Sequence, residues 1–480
     1  MESKYFQRRS RKLDRISPTY QFFTRYPTKL MIMKFYIIIL LAISTRALSS
    51  CETFLDEKSS AKIASPSSTE DVELLLKDYG KFNAVYPYAS EIASDNFFVS
   101  VQHLNGASER ERRTYRWEPN DDVGPFWSFP YSAIFSANII LETLDHVKTA
   151  DLEKKKKLYA MALFWRAFYH YALADLFCKP YMAGSAQTDL GIPLKRTADI
   201  NKVPQRASVK ETYDFIIKDI EAAIPSLDEG LSNKFQPNKA AGYGLLARIH
   251  LAMGSYAKAG LYADSCLRIQ STLVDYNALN TAQNIPFKVR NDEVILDVQA
   301  SVSNLLNRAR GRVDTLLVQT YDMDDLRLKA FFIHNADGTK GFKGHYSGAS
   351  AAIQFVGLAT DEMFLIRAEC NARAGDIDKA LVDLNTLLKH RWQKERFVEL
   401  TGLDKDELLH VILLERRKEL LFRCLRWSDL KRLNQENRFK KTLKRKLDDD
   451  DMLALEPNGE RYVFKILRES ILFSGIEQNP

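Results

Sequence analysis

Asn238–Gln270, NKAAGYGLLARIHLAMGSYAKAGLYADSCLRIQ, reads as two helices folded back on each other. In the first half Tyr243, Leu246, Ile249 and Met253 recur at steps of three and four, which places them on one helical face. Gly254-Ser255 breaks that rhythm, because glycine tolerates the left-handed conformation that ends a helix. In the second half Tyr256, Ala259, Tyr262, Cys266 and Ile269 share a face, and Ala247 and Ala259 are small enough to let two backbones approach closely. Such a hairpin cannot bury its apolar side alone and needs neighbours stacked on it.

Sliding the sequence by 121 positions reveals a second copy: Phe364, Ala368, Gly375, Ile377, Lys379, Ala380 and Leu387 fall on Tyr243, Ala247, Gly254, Tyr256, Lys258, Ala259 and Cys266. The shared frame, a small residue followed by Gly-x-apolar-x-Lys-Ala, is that of a tetratricopeptide-type hairpin. A plain array would repeat every ~34 residues, so long insertions separate these hairpins. The expected fold is mostly α, with hairpins near 131–270 and 361–433 and irregular, partly β insertions near 80–128 and 271–360.

The formal charge of +7 on 480 residues suggests nucleic acid or an anionic membrane only until it is located. Residues 1–50 hold ten Lys/Arg and two Asp/Glu, and the remainder carries 59 basic and 60 acidic residues, so the basic excess belongs to a leader. Nucleic-acid binding is therefore set aside. Within the leader, Met33-Lys34 precedes an apolar run from Phe35 to Ile43, small residues to Ser50, and then Cys51. That is the layout of a secretory signal; its nine apolar residues fall short of the ~20 that span a bilayer. Leu48-Ser49-Ser50-Cys51 resembles a bacterial lipobox, in which the cysteine is acylated with chains such as palmitate. Residues 1–32 fit nothing in this scheme, and translation from Met33 would account for them. Cys178, Cys266, Cys370 and Cys424 are widely spaced and indicate neither zinc nor disulfides.

Polar residues 51–68 read as a lipidated tether, and 69–480 as one domain. Ser68 or Thr69 can cap a first helix. Further helices are expected at Tyr131–Val147, Leu152–Phe177, Val209–Ile224 and over most of Lys405–Leu433, with a short strand within Asp292–Ala300. Arg438–Lys446 and Asp448–Asp451 read as a solvated linker of opposed charge, and the final FSGIEQNP as loop.

Several segments together resemble the SusD/RagB family of outer-membrane lipoproteins: SSCETFLD at the lipobox, Trp127-x-x-x-Tyr131-x-x-Ile134-x-x-x-Asn138, RAFYHYALADLFCKPY, Gly191-Ile192-Pro193, RASVKETYDFIIKDIEAAIPSL, both hairpins, RNDEVIL, LLERRKELLFRCLRWSDLKRL and the terminal QNP. They follow the family's order over nearly all of 51–480. Arg423-Cys424 stands where the family has Glu-Gly, and Lys465-Ile466-Leu467 where it has Pro-Ile-Pro. The resemblance implies a SusD-like α-superhelix held by a lipid anchor on the cell outer membrane. It further implies a surface subunit that binds glycans or other large nutrients and serves a TonB-dependent barrel transporter, with no cofactor or catalysis.

Sugar rings stack on aromatic side chains while polar groups fix their orientation. The aromatic insertions therefore supply the ligand-binding candidates: Tyr86, Tyr88, Asp95, Asn96, Phe97, Phe98, Asn105, Arg110 and Trp117 in the first, His345 and Tyr346 in the second. Glu415 and Glu419, one turn apart, could form the carboxylate pair of a glycoside hydrolase. With Arg416, Arg423, Arg426 and Asp429 nearby they read instead as structural ion-pair partners. Arg110-Glu111-Arg112-Arg113 reads as an exposed charged turn. The eight histidines show no metal-site spacing. Rival readings are a helical glycoside hydrolase, and a scaffold of the same fold that binds peptide or protein, with the hairpin face as partner surface.

Overall fold

The structure, a computed structural model, describes residues 66–230, 233–300, 303–348, 353–447 and 452–480; the leader, Cys51 and Asp448–Asp451 lie outside the described residues. Several of its helices begin where side chains satisfy the free N–H groups of a first turn. Thr69–Leu76 (α1) starts at a capping box between Ser68 and Asp71. Gly124–His146 (α2) begins seven residues ahead of the expected Tyr131, because Pro125 sits where a missing N–H costs nothing. Leu152–Phe177 (α3) and Val209–Ala223 (α4) follow, the latter capped by Ser208 and Glu211.

The opening hairpin is Lys239–Ala252 (α5) and Tyr256–Ile269 (α6). Its repeat is Thr360–Ala374 (α7) and Ile377–Lys389 (α8). Gly254 and Gly375, which the 121-residue shift superposes, both take left-handed backbone, with φ of +69° and +88°. The hairpins stack through α6 and α7, where a Cβ on Gly260 would lie 3.0 Å from that of Cys370. Two hairpins carry the same clasp. Arg166 on α3 holds Asp219 on α4 at 2.7 and 2.8 Å, and Arg367 on α7 holds Asp383 on α8 at 2.9 and 2.7 Å.

The stretch Lys405–Leu433, expected to be mostly helical, is two helices, Lys405–Glu419 (α9) and Arg426–Leu433 (α10). Between them Phe422 and Cys424 adopt positive φ, which no α-helix accommodates. The basic half of the opposed charge block is not a solvated linker: Leu443–Lys446 forms a strand whose alternate residues are buried, and Arg445 lies inside.

Among the described residues ten short strands pair as antiparallel two-stranded ribbons. Phe97–Phe98 (β1) pairs with Arg312–Val313, and Leu190–Pro193 (β2) with Arg206–Ser208 (β3). Val294–Leu296 (β4) lies within the expected Asp292–Ala300 and pairs with Leu358–Ala359. Arg312–Val313 is β5, Phe332–His334 (β6) pairs with Lys340–Phe342 (β7), and Leu358–Ala359 is β8. Leu443–Lys446 (β9) and Met452–Leu455 (β10) close the series. The first insertion, expected to be irregular and partly β, holds β1 and the short helices Ala89–Ala93, Val101–Asn105 and Glu109–Tyr115. Among the described residues no helix is long and apolar enough to cross a membrane.

Substituting Gly260→Val should lower the unfolding free energy by about 1–3 kcal/mol, as expected for added atoms where two helices touch. Gly184→Ala, where nothing lies within 4 Å of the new Cβ, should be nearly neutral. Urea melts of both variants provide the check, and equal effects would contradict the stacking of α6 on α7.

Candidate functional site

Most aromatic candidates in the insertions face inward, and Arg445 explains why. Its guanidinium lies 3.8 Å from the Tyr115 ring centre, 4.5 Å from Trp117 and 6.0 Å from Phe97. It also donates to the carbonyls of Ile92 at 2.8 Å, Ser94 and Tyr115. Burial pushes its pKa down to about 10, with the nearby charges of Tyr115 and Asp95 only partly offsetting it. Trp117 donates its indole N–H to Ala93 O at 2.8 Å. Trp117 and Phe97 are thus walls of a cation cage and unavailable to a ligand. Tyr88 packs edge-on to Phe126 at 5.0 Å, and Tyr86 to Phe168 at 5.7 Å. Tyr346 is buried under Arg423, 3.6 Å from its ring centre, and its hydroxyl bonds Glu293.

The polar candidates divide in the same way. Asp95 is gripped by Arg426 at 2.7 Å and Lys441 at 2.7 Å. Burial alone would raise its pKa, but Arg426, Arg417 and Lys441 hold it well below the usual carboxylate range. Asn96 donates to Glu91 at 2.8 Å inside the core. Arg110 is only partly exposed and committed to Asp122 at 2.9 Å. His345 is buried, and Asn105 is exposed. The expected charged turn is a helix whose Glu111 is buried and accepts from Ser303 Oγ at 2.6 Å and Asn304 N at 3.0 Å, joining the two insertions.

Glu415 and Glu419 are structural, with partners other than those expected. Arg327, fully buried in the second insertion, bonds Asp325 at 2.7 Å, Glu415 at 2.5 Å and Glu419 at 3.0 Å. Arg391 links Glu419 to Glu293, both at 2.8 Å. Arg423 pairs with Asp361, since the break after Glu419 carries it off the helix face shared with Glu419. Arg416 does meet Asp429, at 2.9 Å, and Arg426 meets Asp95. Carboxylate oxygens of Glu293, Asp361 and Glu419 lie within 4.8 Å of one another, but the arginines facing them already supply the counter-charge.

One surface unites the two insertions. In the β1–β5 ribbon Phe97 opposes Val313 and Phe98 opposes Arg312. Directly opposed residues project to the same side of an antiparallel pair. Phe97 and Val313 are buried; on the outer side Phe98 remains 37% exposed. Arg312 is bonded there to Asp337 at 3.2 Å. An apolar ring beside a fixed donor and acceptor is the arrangement that holds a sugar face and its hydroxyls. The sequence singled out Phe98 but missed Arg312 and Asp337; the alternation Arg308-x-Arg310-x-Arg312 was the available sign of a strand edge. A second surface was not foreseen at all: a cavity of about 560 Å³ walled by Trp127, Tyr131, Phe135 and Phe473, with Lys195 and Asp199 in its lining.

Stacked helical hairpins bearing two insertions that meet on one ribbon define a helical binding scaffold. Residues 53–251 match the family described as starch-binding and associating with the outer membrane, and residues 342–461 match the SusD family. The chain belongs to the SusD/RagB family. It is 24% identical to SusD-like protein P2 of Formosa agariphila over 396 residues, 69% of this chain and 76% of that protein. A solved SusD superfamily protein from Bacteroides vulgatus superposes with a TM-score of 0.71 at 23% identity, covering 86% of this chain and 99% of that one. A surface glycan-binding protein A from Bacteroides uniformis superposes with a TM-score of 0.67 at 15% identity, covering 86% and 98%. These two structural likenesses show the fold alone.

Two measurements test the buried charges. Replacing Arg327 by Met takes a shared cation from Asp325, Glu415 and Glu419, leaving only Lys418 and Arg391 to hold them, and should cost about 3–5 kcal/mol, read from denaturant melts. The pH dependence follows from carboxyls of the opposite kind. Burial pushes Glu91 up to about 7 and Asp297 up to about 6, and raises Glu293. Each folded pKa lies above the ordinary value of about 4, so the stability these groups contribute is present below that value and lost as pH rises through about 6–7. Relative to Glu91→Gln, the wild-type melting temperature should therefore fall between about pH 5 and pH 8; a difference that stays constant over that interval would contradict the burial of Glu91.

Proposed function

We propose that this chain is a surface glycan-binding subunit, lipid-anchored through Cys51, that captures oligosaccharides and passes them to a TonB-dependent outer-membrane transporter. The observation that carries the proposal is the outward face of the β1–β5 ribbon, where Phe98 stands beside the Arg312–Asp337 pair at the junction of both insertions. Family membership supports the same reading, since one matching family is described as starch-binding and outer-membrane-associated. The superposition on a surface glycan-binding protein adds to it. The mechanism is capture without cleavage: stacking on Phe98 supplies affinity and the ion pair orients hydroxyls.

Hydrolysis is disfavoured by where the glutamates sit. Glu415 and Glu419 are both bound by the buried Arg327, so they cannot flank a glycosidic bond. A second reading, a peptide or protein ligand on the same fold, is favoured by the apolar cavity, whose Phe473 is 89% exposed.

Calorimetric titration of the full chain with a polysaccharide panel, combined with a reducing-end assay, separates these readings. Saturable binding without new reducing ends is expected, weakened by about 1 kcal/mol, roughly five-fold, in Phe98→Ala and unchanged in Phe473→Ala. Loss in Phe473→Ala alone would move the ligand to the cavity, and sugar release would identify a hydrolase.

A further inference from the structure

The ribbon that presents Phe98 and Arg312 has only two residues on each strand, and so short a pairing does not hold its own position. Its base is held from elsewhere. Asn96 and Asp314 lie one residue inward of Phe97 and Val313, and Asp314 N donates to Asn96 O at 2.9 Å. Arg417 of α9 spans both strands at that point. One guanidinium nitrogen donates to Asp95 O at 2.6 Å and to Asp314 Oδ2 at 2.9 Å, and its Nε donates to Asn96 Oδ1 at 3.4 Å. The other end of the same amide, Asn96 Nδ2, donates to Glu91 Oε1 at 2.8 Å. Asn96 is buried and engaged at both ends, so it serves the ribbon and not a ligand.

Glu91 joins this base to the structure behind it. Its Oε2 accepts the Cys424 N–H at 2.9 Å, and its Oε1 also accepts from Ser94 Oγ at 3.4 Å. Cys424 belongs to the left-handed bend between α9 and α10, where Phe422 stacks on Phe342 of β7 at 4.7 Å and backs Phe97 at 5.9 Å. Three donors therefore converge on one fully buried carboxylate, and no described cation pairs with it. The charged groups around it are engaged elsewhere: Asp95 with Arg426 and Lys441, Arg417 with Asp314, Arg423 with Asp361, and Arg445 with the carbonyls of Ile92 and Ser94. Burial pushes the Glu91 pKa up to about 7 and Asp95 adds to the rise, against the pull of the three donors. The Cys424 thiol, raised by burial, stays protonated over the same range. An ionised carboxylate only accepts, whereas a protonated one carries a donor, which here would face donors.

Resting on the glycan-binding reading above, we infer that Glu91 and Arg417 are positioning residues which, acting through Asn96, set the geometry at which Phe98 and the Arg312–Asp337 pair meet a sugar. The ionised carboxylate serves all three donors at once, so it is the form that holds the ribbon. Glycan affinity then strengthens as pH rises through about 7, while the same ionisation costs the fold stability.

The test titrates the full chain with starch, galactan and polygalacturonate, and follows whichever polymer binds between about pH 5.5 and pH 8. Glutamine keeps the size of Glu91 and places a donor where the protonated acid has one. Wild-type affinity is expected to rise roughly five-fold over the interval relative to Glu91→Gln, which should match the wild type at the acid end. A purely structural carboxylate leaves that ratio constant, and a constant ratio overturns the role of Glu91. Should Glu91→Gln fail to fold in thermal melts, wild-type calorimetry near pH 7 in two buffers of different ionisation enthalpy decides the matter. Proton release on binding is expected, and none overturns the role. Arg417→Gln should bind roughly five-fold more weakly at every pH; Asp95 keeps Arg426 and Lys441, and Asp314 is partly exposed, so the variant leaves no fully buried charge alone. Wild-type affinity in Arg417→Gln overturns the role of Arg417. These outcomes leave glycan binding standing, whereas no saturable binding of any polymer at any pH removes the glycan reading and the positioning roles with it.

Discussion

The fold depends on a set of ion pairs out of reach of water. Arg327 and Arg391 are fully buried, and between them they hold Asp325, Glu415, Glu419 and Glu293. These residues come from both sides of the molecule: Glu415 and Glu419 from helix α9, Arg391 from the end of α8, and Arg327, Asp325 and Glu293 from the second insertion. Charges removed from water are tolerated only when the partner geometry is good. Each member is therefore a constraint on the position of the others. Helices find their places by apolar packing, but an insertion with five short strands and few turns of helix has no periodic face to guide it. The ion pairs supply that guidance.

The first insertion is positioned by the same means with a different chemistry. Arg445 reaches in from β9 and is held by carbonyls and three aromatic rings. Glu91 accepts the Cys424 N–H at 2.9 Å, tying the short helix Ala89–Ala93 to the left-handed bend between α9 and α10. Departure from the family at Arg423-Cys424 becomes intelligible here: Arg423 pairs with Asp361, while the Cys424 backbone serves Glu91.

The hairpins were legible because their determinants are local. A three- and four-residue apolar rhythm and a glycine at the bend suffice, and Gly254 and Gly375 behave as their shared register requires. Leu152–Phe177 was bounded correctly from its sequence for the same reason. The binding site was much less legible. Trp117, Phe97, Tyr86 and Tyr88 have the composition of a sugar platform, yet whether a ring faces water depends on what packs over it from elsewhere in the chain. For Trp117 that partner is Arg445, more than three hundred residues away, in a segment whose alternating charge concealed a strand. Phe98 could be named from composition; its companions Arg312 and Asp337 come from a ribbon pairing that no local pattern encodes.

This division between inner and outer residues bears on how such a protein can specialise. Along the β1–β5 ribbon, successive side chains alternate between the core and the surface. Phe97 and Val313 carry the packing, while Phe98 and Arg312 can change without opening a cavity. The anchoring charges all point inward, so the outer positions bear little of the stability. Lys343 and Lys431, buried on backbone carbonyls, fix loops from within as Arg445 does, so carbonyls as well as carboxylates hold the inner cations.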